Sequence, residues 1–230
     1  MNTDSPLLET VEHETAPSPE WTVLWLHGLG ADGNDFVPII PELVRRDWPA
    51  LRFVFPHAPV RPVTINNGAS MRAWYDIREM DLANRADEAG VAQSVQQVEA
   101  LVEREAQRGV PVSRIILAGF SQGGAVALAA GLRREQPFAG LVALSTYLPM
   151  SPAVLRELPQ TVPAAARQQP VFMAHGSHDP VVPYAAGEAS AAHLRALGMQ
   201  VQWHAYPMAH QVCAEQIADL AGWLGARFKG

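Results

Sequence analysis

Two kinds of hydrophobic pattern alternate along the chain. Short runs such as 21–26, 51–55 and 115–118 are apolar on successive residues, which predicts strands that are covered on both faces. Longer segments carry apolar residues at helical spacing, and 85–108 is the longest of these. Strands that alternate with helices indicate an α/β fold, with a mostly parallel, doubly wound sheet and helices on both faces.

The remaining elements follow the same alternation. Further strands are predicted at 140–145, 170–175 and 200–206, and further helices at 34–44, 125–130, 184–197 and 213–228. Two intervals, 56–84 and 151–170, lack a regular pattern, and we expect loops there with at most a short helix in the second. Neither interval has the sequence of a large cap domain.

The first twenty residues differ from the rest of the chain. Residues 1–20 are polar and end in a segment with two prolines, so we expect an N-terminal arm with an edge strand near 7–11. Residues 21–230 show no internal repeat and no composition break. They are expected to form a single α/β domain.

Composition and charge limit the class of protein. With 230 residues, 48% hydrophobic and 17% charged, the chain has enough apolar residues for a large core. A net charge of −6 and the absence of a basic run argue against nucleic acid and anionic membranes as partners. One cysteine excludes an intrachain disulfide. Neither a signal peptide nor a membrane-spanning run is recognisable, so we expect a cytoplasmic protein without stable membrane insertion.

The apolar run at 115–118 ends in a distinctive turn. It continues as Gly-Phe-Ser-Gln-Gly at 119–123, and small helix-forming residues follow. A strand that passes into a helix through Gly-x-Ser-x-Gly is the nucleophile elbow of α/β-hydrolases. Side chains at Gly119 or Gly123 would strike the neighbouring strand or helix, and the serine hydroxyl projects at the positive end of the helix. Ser121 is therefore the candidate nucleophile.

A serine nucleophile needs a base, and the base needs an orienting acid. In α/β-hydrolases the acid and then the histidine follow the serine in the chain. Asp179 is the only aspartate between Ser121 and His210, and it follows a predicted buried strand. Of the later histidines, His193 lies in a predicted helix and His204 in a strand, whereas His210 lies in a loop. We expect Ser121, Asp179 and His210 to form a catalytic triad.

The oxyanion of a tetrahedral intermediate needs two donors. The residue after the nucleophile supplies one, which is the backbone N–H of Gln122. The second is expected from the His-Gly-Leu-Gly loop at 27–30, from the N–H of Leu29. His175 and His178 lack metal-ligand spacing, so neither a metal nor an organic cofactor is expected.

Several motifs occur together in the order of a known family. They are LHGLGADG at 26–33, RPVT at 61–64, WYDI at 74–77, GFSQGG at 119–124, HDPVVP at 178–183, and His210. Together they resemble the phospholipase/carboxylesterase family, which includes bacterial carboxylesterases and acyl-protein thioesterases. The resemblance covers roughly residues 21–230 and implies the α/β-hydrolase fold and the same triad and oxyanion hole. It also implies a substrate-binding role for Trp74, beside the acyl pocket. The stretch 145–149 departs from the family pattern, so the pocket wall there is expected to differ.

These observations predict a serine carboxylesterase that hydrolyses short- to medium-chain carboxylic esters through an acyl-enzyme intermediate. An acyl-protein thioesterase or lysophospholipase-type hydrolase is the alternative, because one oxyanion hole accepts either carbonyl. A catalytically inactive binding protein on the same fold is the alternative from another class. The expected partner is a small-molecule ester or thioester, and the sequence leaves a homodimer as one of the open oligomeric states.

Overall fold

A seven-stranded sheet forms the centre of the structure, a computed structural model that describes residues 7–79 and 87–229. Numbered along the chain, the strands are β1 (Thr10–Glu14), β2 (Trp21–Leu26), β3 (Leu51–Pro56), β4 (Val60–Val63), β5 (Ala69–Arg72), β6 (Ile115–Phe120), β7 (Gly140–Leu144), β8 (Val171–Gly176) and β9 (Val201–Tyr206). The main sheet has the order β1-β3-β2-β6-β7-β8-β9, and β4 pairs with β5 in a separate hairpin. Every neighbouring pair in the main sheet is parallel except β1 with β3. This is the predicted α/β arrangement.

Helices cover both faces of the sheet. They are α1 (Ile40–Leu43), α2 (Glu88–Gln107), α3 (Gln122–Gly131), α4 (Pro152–Thr161), α5 (Tyr184–Ala196) and α6 (Ala214–Arg227). Successive residues of β2 point to opposite sides, so Val23 and Trp25 pack with α1 and α6. Leu24 and Leu26 pack on the other side, with α2, α3, α4 and α5. Both faces of the strand are thus buried, which explains its continuous apolar sequence.

The N-terminal edge strand is attached by charged side chains. The expected strand is present, but it lies at Thr10–Glu14 rather than at 7–11. Glu12 accepts from Arg104 at 2.8 Å and from Arg108 at 2.9 Å. Behind these pairs, the fully buried Glu105 accepts from Arg52 of β3 at 2.9 Å. The arm is therefore part of the main sheet and is joined to α2 by ion pairs.

The structure corrects three of the predicted segments. The helix expected over 34–44 is reduced to a 3-10 turn at Val37–Ile39 and to α1, because Pro38 and Pro41 have no N–H to donate to a helical bond. The interval 56–84 contains the β4–β5 hairpin, and 151–170 contains the ten-residue α4. Helix α2 is described from Glu88 onward, and the predicted start at residue 85 lies outside the described residues.

Candidate active site

Ser121 occupies a strained turn between β6 and α3. Its φ of 55° and ψ of −120° lie in a region that non-glycine residues rarely adopt. The turn is held from two sides, because the Ser121 N–H donates to the Leu144 carbonyl at 2.8 Å and the Thr146 hydroxyl donates to the Ser121 carbonyl at 2.6 Å. The hydroxyl of Ser121 therefore has a fixed direction at the N-terminus of α3.

Two glycines permit this turn. A Cβ at Gly119 would lie 2.3 Å from the carbonyl carbon of Gly123, and a Cβ at Gly123 would lie 2.3 Å from the carbonyl oxygen of Leu26. Both contacts are with backbone atoms, which cannot rotate away as a side chain can. The steric need for glycine that the sequence indicates at these positions is confirmed.

A histidine and an aspartate from distant parts of the chain converge on Ser121. His210 lies in the loop between β9 and α6, and its Nε2 is 2.9 Å from Ser121 Oγ. Its Nδ1 is 2.7 Å from Asp179 Oδ2. With Asp179 ionised, Nδ1 carries the proton and Nε2 is free to accept one from the serine hydroxyl. The three predicted residues are thus brought into a continuous hydrogen-bonded series.

The carboxylate of Asp179 is held by the turn that follows it. Its Oδ1 accepts from the N–H of Val181 at 2.8 Å and of Val182 at 2.9 Å, which leaves Oδ2 for His210. A second histidine supports the same turn, because His175 Nε2 is 2.9 Å from the Val182 carbonyl and 3.5 Å from Asp179 Oδ2. Burial lowers the pKa of His175 below its ordinary value, so this ring is neutral and donates from Nε2.

These supporting contacts were missed by the sequence reasoning. The two valines follow the aspartate after one proline, in the motif that marked the family resemblance, but nothing in their residue type indicates that their N–H groups face a carboxylate. The position of His175 at the end of the apolar run predicted as a strand at 170–175 was the one available signal, and the structure shows this side chain to be buried at the end of β8.

Several polar groups of the loop at 27–30 form hydrogen bonds within the protein. His27 Nδ1 donates to the Gly28 carbonyl at 2.7 Å, and the N–H of Ala58 donates to His27 Nε2 at 3.0 Å. The Gly30 N–H donates to the Arg72 carbonyl at 2.9 Å. In the described part of the chain, no hydrogen-bond acceptor is found for the N–H of Leu29 or of Gln122. Both are available to an oxyanion.

Trp74 does not lie where the family resemblance suggested. It is fully buried and is absent from the lining of the groove at Ser121. Its indole N–H donates to the His27 carbonyl at 2.9 Å, and its backbone N–H donates to the Gln122 side chain at 2.8 Å. The expected contact with the acyl chain is therefore corrected: Trp74 packs behind the loop at 27–30 and fixes its position.

A groove of about 760 Å³ opens at the serine. Ser121 and His210 border it, together with Leu29 of the loop at 27–30 and residues of the segment that precedes α1. Most of its wall is apolar. The volume lies within the range of small-molecule sites.

The described residues hold neither a metal-binding cluster nor a membrane-spanning helix. No group of three or more His, Cys, Asp or Glu side chains in 7–79 and 87–229 could hold a metal ion. None of the helices in these residues is long and apolar enough to cross a membrane.

The fold and the turn that carries Ser121 define the class of protein. A mostly parallel sheet whose strand passes through Gly-x-Ser-x-Gly into a helix is an α/β-hydrolase. No cap domain interrupts the part of the chain that the structure describes.

Comparison with known proteins places the chain within that class. It belongs to the phospholipase/carboxylesterase family, whose model matches residues 9–226. Acyl-protein thioesterase 1 of Cryptococcus neoformans is 35% identical over 220 residues, covering 88% of this chain and 90% of the relative. Carboxylesterase SOBER1 of Arabidopsis thaliana is 32% identical over 211 residues, covering 90% and 91% of the two chains.

Solved structures agree with the sequence comparison. The crystal structure of SOBER1 superposes with a TM-score of 0.83 and 31% identity, covering 90% of this chain and 98% of the other. Acyl-protein thioesterase 2 of Zea mays gives a TM-score of 0.81 at 26% identity, covering 95% and 99%. The chain is a carboxylic-ester hydrolase, of the carboxylesterase and acyl-protein thioesterase type.

Proposed function

We propose that the protein hydrolyses short- to medium-chain carboxylic esters through an acyl-enzyme on Ser121. His210 takes the serine proton as Oγ attacks the carbonyl carbon, and Asp179 stabilises the imidazolium that forms. The N–H groups of Leu29 and Gln122 stabilise the oxyanion. Water, activated by the same histidine, then releases the acid. The product is a carboxylic acid and an alcohol, with no metal or organic cofactor taking part.

One observation carries this proposal. His210 is 2.9 Å from Ser121 Oγ and 2.7 Å from Asp179 Oδ2, both within hydrogen-bond range for a nucleophile and its base. The inactive binding protein is disfavoured by the same distances, since binding alone requires no such alignment of a base with a strained serine.

Thioester hydrolysis is the second candidate. It is favoured by the relatives named acyl-protein thioesterase, such as the 35% identical protein of Cryptococcus neoformans. The chemistry of the two reactions is the same up to the leaving group, because the oxyanion hole contacts the carbonyl oxygen and not the leaving atom. The two candidate reactions therefore differ only in the leaving group, which is an alcohol in one and a thiol in the other.

A panel of matched substrates tests both candidates. Acetyl, butanoyl, octanoyl and palmitoyl groups would each be offered as an oxygen ester and as a thioester of the same leaving chain. We expect kcat/KM to rise from acetyl to butanoyl or octanoyl and then to level or fall, since each buried methylene contributes up to about 0.8 kcal/mol only while the groove covers it. Ser121→Ala should abolish turnover, and Ser70→Ala, which changes an exposed serine on β5, should not.

The same panel distinguishes an esterase from a lipase. Residues 56–79 hold a short hairpin rather than an amphipathic helix, so no lid is expected to open at a lipid surface. The rate should show no jump as a substrate crosses its solubility limit. Sharp interfacial activation, or a preference for long-chain emulsions over soluble esters, would contradict the proposed substrate class.

A further inference from the structure

The groove at Ser121 has an apolar wall on one side of the site. Six side chains form this wall, and they come from the segment before α1, from the end of β6 and from the residues after His210: Phe36, Pro38, Ile39, Phe120, Val212 and Ile217. The wall is continuous with the histidine, since the Phe120 ring centroid is 4.8 Å from that of His210. We call this wall the histidine-side arm of the groove.

The position of His210 decides which half of an ester this arm can hold. In the first step of the reaction, Nε2 receives the proton of Ser121 Oγ. When the bond from the acyl carbon to the leaving atom breaks, its electron pair stays on the leaving oxygen or sulfur, and the same Nε2 returns the proton to that atom. The leaving atom must therefore lie beside His210, and the acyl chain must point away from it.

The geometry points to the histidine-side arm as the binding site for the leaving group, an alcohol or thiol with an apolar chain next to the reacting atom. This inference rests on the proposed function, which specifies the acyl chain of the substrate but not its leaving group. Phe120, Val212 and Ile217 of α6 are the side chains that an alkyl chain on the His210 side of the carbonyl would contact.

The charged groups of the groove indicate which charge the leaving group can carry. Among the residues that the structure describes, the ionisable side chains that line it apart from His210 are Asp35 and Glu42, both exposed and both acidic. Asp35 accepts from the backbone N–H of Asp32, so substituting Asp35 would also disturb the chain between these two residues. Glu42 on α1 is therefore the carboxylate to substitute, because no side-chain hydrogen bond of this kind among the described residues is lost with it. The arm should accept neutral or cationic leaving groups and disfavour anionic ones.

A pair of ester series tests the apolar part. Methyl, butyl and hexyl butanoate lengthen the leaving group at constant acyl chain, and methyl butanoate, hexanoate and octanoate lengthen the acyl chain at constant leaving group. In the wild-type protein, kcat/KM should rise along the first series, by up to about fourfold per covered methylene. Ile217→Ala should lower the hexyl to methyl ratio about three- to tenfold and leave the octanoate to butanoate ratio within twofold. Leu155→Ala, which removes a similar half-buried side chain from α4, should leave both ratios unchanged.

A charged pair of substrates tests the acidic part. We expect 6-(trimethylammonio)hexyl butanoate to react faster than 6-sulfonatohexyl butanoate, and Glu42→Gln to reduce that preference about two- to fivefold, with the difference decreasing in salt. Glu157→Gln, an exposed carboxylate on α4, is the control.

The results of these experiments distinguish a failure of this inference from a failure of the proposed function. If Ile217→Ala changes the acyl-chain ratio instead, or both ratios equally, the arm does not bind the leaving group and the inference is wrong, although the esterase stands. An unaltered charge preference in Glu42→Gln would remove the electrostatic part. Turnover that survives in Ser121→Ala would contradict the proposed function itself, whatever the two ratios show.

Discussion

At the scale of single residues, the site depends on one histidine that contacts the nucleophile across 89 residues of chain. The loop that carries His210 is fixed to the neighbouring strand end, because the His178 N–H donates to the Met208 carbonyl at 3.1 Å. A loop at this edge of the sheet can place its imidazole between a serine and an aspartate. The side-chain direction of a histidine within β9, in contrast, is set by the strand. The distinction between His210 and His204 therefore has a structural cause.

The first prediction compares these two histidines. His210→Gln removes the base and should lower kcat about 10⁴-fold or more, as loss of a triad member does. His204→Gln should retain most activity, because His204 stacks on Phe172 at 4.8 Å and has no contact with Ser121. Steady-state kinetics on butanoyl esters measures both. An inactive His204→Gln with an active His210→Gln would show that the base is misassigned.

Much of the site at this scale was accessible to sequence reasoning. The motif Gly-x-Ser-x-Gly marked Ser121, and Asp179 followed by elimination because no other aspartate lies in its interval. The role of Trp74 was not accessible. Whether an indole faces a groove or a backbone carbonyl depends on how segment 73–75 packs against the loop at 27–30, and neither segment encodes that contact alone.

At the scale of elements, the central strands and long helices were predictable because burial imposes their periodicity. Strands β2, β3, β6, β7 and β8 lie at or within a residue or two of the predicted positions. The short elements were not predictable. The β4–β5 hairpin is only four residues on each strand, and it turns through Asn67 at φ 54° and Gly68 at φ 74°. Such a short hairpin depends on contacts with the rest of the protein for its stability, and its strands are too short to show a hydrophobic periodicity in the sequence.

The second prediction concerns the nucleophile turn and uses two glycines as a matched pair. Gly123→Ala places a Cβ against the Leu26 carbonyl, so it should displace the turn and either abolish activity or prevent folding. Gly222→Ala lies on the exposed side of α6, where nothing lies within 4 Å of the added Cβ. It should raise the free energy of unfolding by about 0.5–1 kcal/mol.

Chemical denaturation together with an activity assay distinguishes these cases. Should Gly123→Ala be as active and as stable as the wild-type protein, the turn at Ser121 would not require a glycine at position 123.

The third prediction concerns the attachment of α2 to the sheet. Glu105 is fully buried and accepts from Arg52, Arg108 and the Thr22 hydroxyl. Glu105→Gln removes the buried counter-charge of Arg52, which keeps only its ion pair with the partly exposed Glu14 at 2.9 Å. The loss should therefore be at most the roughly 3–5 kcal/mol that an unpaired buried charge costs. Denaturant titration measures this loss, and Glu103→Gln, on the exposed side of the same helix, serves as the control. Equal stability of the two variants would mean that the buried charges do not hold α2.

At the scale of the whole molecule, two buried histidines link stability to pH. Burial lowers the pKa of His27 and of His175 below the ordinary value of 6.5. The contacts of His27 agree with a neutral ring, because its Nε2 accepts from the N–H of Ala58. Unfolding exposes both rings and restores their ordinary pKa. Below about pH 6.5 the unfolded chain therefore binds more protons than the folded one.

The fourth prediction follows from this difference in proton binding between the unfolded and the folded chain. The free energy of unfolding should be constant above about pH 7.5 and should decrease as the pH falls through 6.5 toward the lowered pKa values. His175→Gln removes one of these groups, so its stability should depend less steeply on pH in this range. His193→Gln, on the exposed side of α5, should leave the slope unchanged. Denaturant midpoints at several pH values give the slopes, and identical slopes for all three proteins would contradict the assignment.

Active-site labelling can show whether Ser121 is the nucleophile of an esterase. A fluorophosphonate reacts with a serine only when a base activates it and an oxyanion hole accepts the phosphonyl oxygen. We predict a single adduct, which peptide mapping assigns to Ser121, with no labelling of Ser121→Ala and strongly reduced labelling of His210→Gln. An adduct on another residue, or undiminished labelling of Ser121→Ala, would show that Ser121 is not the activated nucleophile.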